Sequence, residues 1–477
     1  MTRKNRLGLL LLALAAVCAA AAAAVLLSPE ETAEEDTSFP LLELEAEDIT
    51  QLSWSYGDQT QSFTYDPEDG WSYPADSAFP LDPALLESMA DALSQLTAYR
   101  AIEGAEDLSQ YGLEEPQARV SFTADGSQYT LDIGDETAMG GQRYVCLGED
   151  SVYLTDASVL DDFSCGLYDL VAQEDIPTMT QLTAFTVETG SRTLELEYLE
   201  DSGLAWSDHY VWFLKDGEDT VTLDTELTDA FVENITLLYW SKCVDYKAQG
   251  SALAAYGLDE PAAVVTVDYV VTTQEDSGLT DDDGNVIYNT LETPHTFVLE
   301  IGDYDGEYCY ARIAGSSLVY YIDAGVADAM LYLQAGALLP DDILILDRDT
   351  VESVDITLDG ESYHVEKLVE ETTDEEGDTT QQTVWTLDGE EVEFQSVFTA
   401  LTGLESTGSE EGLTPERGAE ISFTFHRNTD TYQTLTLTFY QYDSANCLVE
   451  FNGETRLLAG RDSVLDIVEQ VNAMVLD

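Results

Sequence analysis

Beyond residue 40 the chain is written largely in short alternating runs. Apolar and polar residues trade places through Ile49–Tyr56, Gln61–Tyr65 and Trp71–Tyr73, the period expected of strands with one face buried. The period then changes. Asp82 and Pro83 offer an N-cap and a first turn, and Leu85, Leu86, Met89, Leu93 and Leu96 recur at helical spacing. Alternation resumes through Ala118–Thr123, Tyr129–Ile133, Tyr144–Leu147 and Val152–Thr155, and a last short helix is predicted over roughly Ala157–Leu170. This is the pattern of an α+β unit dominated by antiparallel strands.

The pattern repeats. Tyr111-Gly112-Leu113-Glu114-Glu115-Pro116 returns as Tyr256-Gly257-Leu258-Asp259-Glu260-Pro261, 145 residues later. Leu131-Asp132-Ile133-Gly134-Asp135 returns as Leu299-Glu300-Ile301-Gly302-Asp303 at an offset of 168. The difference of 23 residues places an insertion around Thr272–Pro294 of the second copy. A strand-borne tryptophan recurs as Trp71, Trp212 and Trp385, each before a helical stretch; Leu227, Phe231, Ile235 and Leu238 mark the second helix, and Val397, Phe398, Leu401 and Leu404 the third. The third copy is degenerate: Gly412-Leu413-Thr414-Pro415 keeps the turn without its tyrosine, and Leu437-Thr438-Phe439-Tyr440 stands in place of Ile-Gly-Asp. The expected architecture is three tandem repeats of antiparallel strands, each packed with one or two helices, at residues 41–174, 175–340 and 341–477.

The recurring residues have structural work to do. Glycine at 112 and 257 takes positive φ, leucine at 113 and 258 plugs the core, and Pro116 and Pro261 start an extended segment. Gly134 and Gly302 read as strand end plus turn, and the three tryptophans as core packing.

Upstream of the repeats the pattern is different again. Leu7–Leu27 is 21 residues without a charged or strongly polar side chain, about 31 Å of helix and enough to cross a hydrocarbon core. Arg3, Lys4 and Arg6 precede it, so the positive-inside rule keeps residues 1–6 in the cytoplasm and the bulk of the chain outside. The alternative is a cleaved signal peptide, for which Ala19–Ala24 offers cleavage sites; the length of the span favours an uncleaved anchor. Val17 before Cys18 departs from a lipidation signal. Residues 28–40 form an acidic linker. The five further cysteines, Cys146, Cys165, Cys243, Cys309 and Cys447, show no metal-ligand spacing; Cys146, Cys309 and Cys447 sit in apolar strand-like runs and read as small buried hydrophobes.

Charge narrows the partners. The 477 residues carry 17 basic and 95 acidic side chains, a net charge of −78. Such a field repels phosphate backbones and anionic lipid, which excludes ordinary nucleic-acid binding, and it attracts divalent cations weakly and nonspecifically. Catalytic signatures are missing: the four histidines, His209, His295, His364 and His426, stand at no metal-ligand spacing, and there is no nucleophile elbow, phosphate loop or HExxH helix. The acidic runs Asp281–Asn285 and Glu370–Asp378 invite calcium, yet the first lacks EF-hand spacing; solvated hairpin tips are the expectation. No cofactor is expected, and no enzymatic activity.

YGLEEP with LDIGD, and YGLDEP with LEIGD, after a membrane segment and a strand-Trp-helix run, resemble the bacterial family named domain of unknown function 4340, in tandem copies across the ectodomain. The family carries no established activity or catalytic residues. Its members are often encoded beside ABC transporter subunits resembling those of gliding-motility systems, so the resemblance implies an extracytoplasmic accessory role. The expectation is a single-pass, surface-anchored binding or scaffold protein with an ABC permease or ATPase as partner. The alternative is a surface module binding wall glycans or peptides through aromatic strand faces.

Overall fold

An antiparallel sheet needs only one buried face, and its polar face can meet water. The chain uses that solution three times. The computed structural model describes residues 38–476 apart from 106, 149–150, 218, 281–284, 374–378 and 410–411. The predicted anchor, residues 7–27, and nearly all of the linker lie outside the described residues. Among those described, no helix is long and apolar enough to cross a membrane. By its internal contacts the chain divides into two compact units, one closing at Glu174 and one running from Asp175.

The first unit is built on an eight-stranded sheet. Its strands lie in the order Gly70–Ser72, Gln59–Asp66, Ile49–Tyr56, Ala118–Ala124, Ser127–Glu136, Gln142–Leu147, Val152–Asp156 and Arg100–Ile102, and every pairing is antiparallel. The chain starts in the middle and steps to one edge. Helix α1 (Pro83–Ser94) then carries it to the other edge, and a second meander fills the gap. Register puts Leu52 opposite both Phe63 and Phe122, and all three are buried.

The second unit holds two nine-stranded sheets. In the first of them the order is Asp219–Thr222, Trp212–Asp216, Thr193–Tyr198, Leu182–Thr189, Ala263–Thr280, Val286–Asp305, Tyr308–Ile313, Val319–Asp323 and Lys242–Asp245. In the other it is Glu390–Val392, Thr379–Leu387, Glu361–Thr373, Val351–Leu358, Ala419–Arg427, Thr434–Gln441, Asn446–Phe451, Glu454–Gly460 and Ser406–Ser409. Apart from one added edge strand in each, both repeat the topology of the first sheet. The degenerate third copy therefore keeps the whole strand order while losing the motif.

The helices cover one face of each sheet. In α1, Asp82 caps the first turn through Oδ1 on the Ala84 N–H at 3.0 Å, and Leu86, Met89, Ala90 and Leu93 are buried. Leu85, expected in that stripe, is exposed. Helix α2 (Thr225–Thr236) likewise buries Thr228, Phe231, Val232 and Ile235 and leaves Leu227 in solvent. Each misplaced leucine stands one residue before an i, i+3, i+4, i+7 set and is turned off its face. Helix α3 (Ala324–Tyr332) closes the second copy. In the third, α4 (Phe394–Thr402) packs beneath the sheet and α5 (Arg461–Leu476) ends the chain's described part. The last helix expected in the first copy is instead two 3-10 turns, Ala157–Phe163 and Leu167–Leu170, parted at Gly166.

Two departures from the shared plan distinguish the second copy. Its insertion lengthens the hairpin Ala263–Thr280/Val286–Asp305 into a two-stranded arm paired from Val270↔Pro294 out to Thr280↔Val286. Along the arm nearly every side chain is exposed. In addition, residues 199–211 form a long loop between Thr193–Tyr198 and Trp212–Asp216. This loop docks on the third sheet: the Trp206 ring lies 4.8 Å from that of Phe451, and the Tyr432 hydroxyl donates to the Leu204 carbonyl at 2.8 Å.

Candidate functional site

The repeated motifs form a lock. Gly112 and Gly257 follow short 3-10 turns and adopt φ of 66° and 65°. Gly134 and Gly302 lie against them from the neighbouring strand. A Cβ on Gly134 would stand 2.2 Å from the Tyr111 carbonyl, and one on Gly302 would stand 2.1 Å from that of Tyr256. Asp135 and Asp303 close the other side, within 2.4 and 2.5 Å of where a Cβ on Gly112 or Gly257 would sit. Leu113 and Leu258 are buried beneath, with Pro116 and Pro261 half-buried at the exit. The strand glycine's carbonyl accepts from the Arg143 guanidinium at 2.6 Å in the first copy and from the Cys309 thiol at 3.2 Å in the second. Tyr111 packs on Tyr144 and Tyr256 on Tyr310, at 4.9 and 5.0 Å. In the third copy, Gly412 keeps positive φ but has open space around it; Tyr440 and Gln441 stand in place of the strand glycine and its aspartate.

The tryptophans are buried in all three sheets. Trp212 Nε1 donates to Asp229 on α2 at 2.7 Å, whereas Trp385, packed 4.9 Å from Phe394 of α4, has a buried Nε1 without a partner. Cys146, Cys243, Cys309 and Cys447 are buried and Cys165 half-buried. Burial pushes the Cys309 and Cys447 thiols up to about 12, far from nucleophilic readiness.

Spacing along the chain concealed one constellation. Register brings His364 directly opposite Asp355 and sets His426 on the strand beyond. His364 Nδ1 lies 2.6 Å from one Asp355 oxygen and His426 Nε2 2.7 Å from the other. The hydrogen bond to Asp355 raises the His364 pKa, and the same bond lowers that of Asp355. The sign follows: the His364 contribution is full below its ordinary 6.5 and lost as pH rises through the raised value. The Asp355 contribution is present above its ordinary 3.8 and lost as pH falls through the lowered one. The cluster is half exposed, so its worth is about 0.5 kcal/mol. Urea unfolding should show that increment at pH 5.5 relative to pH 8.5, and Asp355→Asn should abolish the difference.

Two further features lie in the second unit. Tyr256, Tyr310, Tyr321 and Tyr308 form a row: Tyr256 meets Tyr310 edge-on at 5.0 Å, Tyr310 stacks on Tyr321 at 5.1 Å, and Tyr308 tilts against Tyr321 at 5.3 Å, with Tyr308 exposed. A cavity of about 340 Å³ opens where the 199–211 loop meets the third sheet, lined by Trp206, Asp342, Tyr432, Phe451 and Arg456 among others. Beside it, ligand oxygens of Asp224, Asp341 and Asp342 lie within 4.8 Å of one another, the one metal-competent cluster among the described residues. The acidic runs singled out in the sequence fall elsewhere: 281–284 and 374–378 lie outside the described residues.

The family model for a domain of unknown function (DUF4340) matches residues 71–222 and, again, residues 212–416. The chain belongs to this family. The two matches overlap and run in tandem, as the three repeated sheets do. The lock glycines of both complete copies fall inside them, and so do all three tryptophans. No curated protein matches the chain.

Proposed function

We propose that this DUF4340 member is a membrane-anchored, extracytoplasmic, non-catalytic binding or scaffold protein, accessory to an ABC-type transporter. The apolar span 7–27 with its basic flank supports the anchor and the orientation. The motif residues support a non-catalytic role, because the lock and the cores account for them. The observation that carries the reading is the arm of the second copy. Two strands without a third are marginal alone, and in a chain this acidic the arm exposes Leu279, Val286, Ile287, Tyr288 and Leu291. Apolar side chains gathered on a projecting element mark a contact surface.

A photo-reactive residue placed at Leu279 or Tyr288 in intact cells tests this directly. A permease or ATPase subunit should be captured there and not from Tyr442, an exposed residue in the turn after Thr434–Gln441 of the third sheet. Absence of any transporter component at the arm ends the transporter reading. The tyrosine row favours a second reading, binding of wall glycans or peptides, since it ends in the exposed ring of Tyr308, and an exposed aromatic ring offers a face to a sugar. Wall material captured through Tyr308, with nothing captured at the arm, would select it.

A further inference from the structure

We propose that Asp224, Asp341 and Asp342 form a specific site for a hard divalent cation of calcium size, with the buried Tyr210 as its neighbour. The site is assembled by the fold across more than a hundred residues of chain. Asp224 is the N-cap of α2: its Oδ1 accepts from the Leu227 N–H at 2.8 Å, leaving Oδ2 to turn elsewhere. Its own N–H donates to the Leu338 carbonyl at 2.8 Å, which pins the segment ahead of Pro340 and so delivers Asp341 and Asp342 to the same place.

Carboxylates gathered within 4.8 Å repel one another, and acidic side chains in a chain of net charge −78 are often close by accident. Tyr210 is what distinguishes this cluster. The residue is 2% exposed and its hydroxyl has no hydrogen-bond partner. Apart from burial, the charges that bear on this phenol are Asp342, Asp224 and Asp341, opposed by Arg456. A buried hydroxyl left unpaired is costly, and an ion with its water shell among these carboxylates supplies the missing partner. The Tyr210 position is itself enforced: Thr225 Oγ1 accepts from the Val211 N–H at 3.2 Å and donates to the His209 carbonyl at 2.6 Å, which clamps the loop to the start of α2.

The other charges facing the cluster are Glu226, His209 and Arg456. The Arg456 guanidinium donates to the Pro340 carbonyl, so one permanent positive charge faces four carboxylates. The ligand chemistry selects the ion. All-oxygen donors suit a hard cation, and calcium accepts an irregular set of protein carboxylates, whereas magnesium demands a near-ideal octahedron and keeps most of its waters. This inference stands whether or not the chain serves a transporter.

The test uses the full-length chain in mild detergent at 0.15 M NaCl, which screens the diffuse surface charge. Calcium chloride is titrated by calorimetry into the wild type, the Asp341→Asn/Asp342→Asn double variant and Tyr210→Phe. The expected result is one saturable site in the wild type that is absent from the double variant and about tenfold weaker in Tyr210→Phe, the scale of losing an outer-shell partner. Tryptophan fluorescence should change on calcium addition in the wild type and not in the double variant, since Trp206 packs 5.0 Å from Tyr210. Identical calcium isotherms for wild type and double variant would overturn the proposal. So would a double variant more heat-stable than wild type both with and without calcium, which would show unrelieved repulsion at the cluster.

Discussion

Replacing Gly302 by alanine should destabilise the second unit by about 3 kcal/mol, and Gly134→Ala should do the same to the first. Neither glycine has positive φ, so the penalty is not a backbone preference. It comes from space: the new methyl would meet a backbone carbonyl at 2.1 or 2.2 Å, with Leu258 or Leu113 about 3.0 Å away on the next side. A flexible side chain could swing aside; a carbonyl held in a turn cannot without dragging the Tyr-Gly-Leu element with it. Two controls separate this cause from general fragility. Gly412→Ala sits at positive φ in open space and should cost about 1 kcal/mol. Gly408→Ala has neither positive φ nor a near neighbour and should stay within about 0.5 kcal/mol of wild type. Urea midpoints for the four variants give the ranking. Equal losses at Gly302 and Gly412 would mean that the close approach is not what the motif preserves.

The same lock explains why so much of the fold was legible. A turn that demands glycine and a strand that demands glycine opposite it leave a fixed pair of marks, and their offsets located both the repeat and the insertion. The strands were legible because one buried face enforces strict alternation, as in Ala118–Ala124, where Ala118, Val120, Phe122 and Ala124 are the buried positions. Periodicity failed where it is coarse. A leucine one position from a helical stripe carries the same hydrophobicity as one inside it, so periodicity alone puts Leu85 and Leu227 inward. In the first copy a helical stretch interrupted at Gly166 became 3-10 turns.

The chemistry was less legible than the frame because it is assembled between elements. Asp355, His364 and His426 meet through cross-strand register, and Asp224 meets Asp341 through a single backbone hydrogen bond from one helix cap to a distant carbonyl. Neither leaves a spacing to find along the chain. The loop 199–211 gave no signal either, since Trp206 belongs to no repeat. The scarce cations were equally hard to place. Arg192 donates to the Met330 and Leu333 carbonyls at the end of α3, and Arg143 is buried on the lock. In a chain with so few positive side chains, several are spent on backbone oxygens, where a guanidinium satisfies several acceptors at once.

Trp212 and Trp385 occupy equivalent strands, yet their substitutions should part company. Truncation to alanine should cost about 4 kcal/mol at either position, because each removes a fully packed ring from beneath a helix. Phenylalanine keeps most of the ring and isolates the indole N–H. At Trp212 that group donates to Asp229 at 2.7 Å and ties the strand to α2; losing a hydrogen bond to a charged acceptor costs about 2 kcal/mol. At Trp385 the N–H is buried with no acceptor, so Trp385→Phe removes an unsatisfied donor along with some volume, and the two effects oppose each other. The expected outcome is a Trp212→Phe variant at least about 1.5 kcal/mol less stable than Trp385→Phe in urea unfolding. Asp229→Asn, which keeps an acceptor but removes the charge, should fall between wild type and Trp212→Phe. If both phenylalanine variants lose the same stability, the indole of the second copy serves only as volume, and the strand–helix tie is not what distinguishes it from the third.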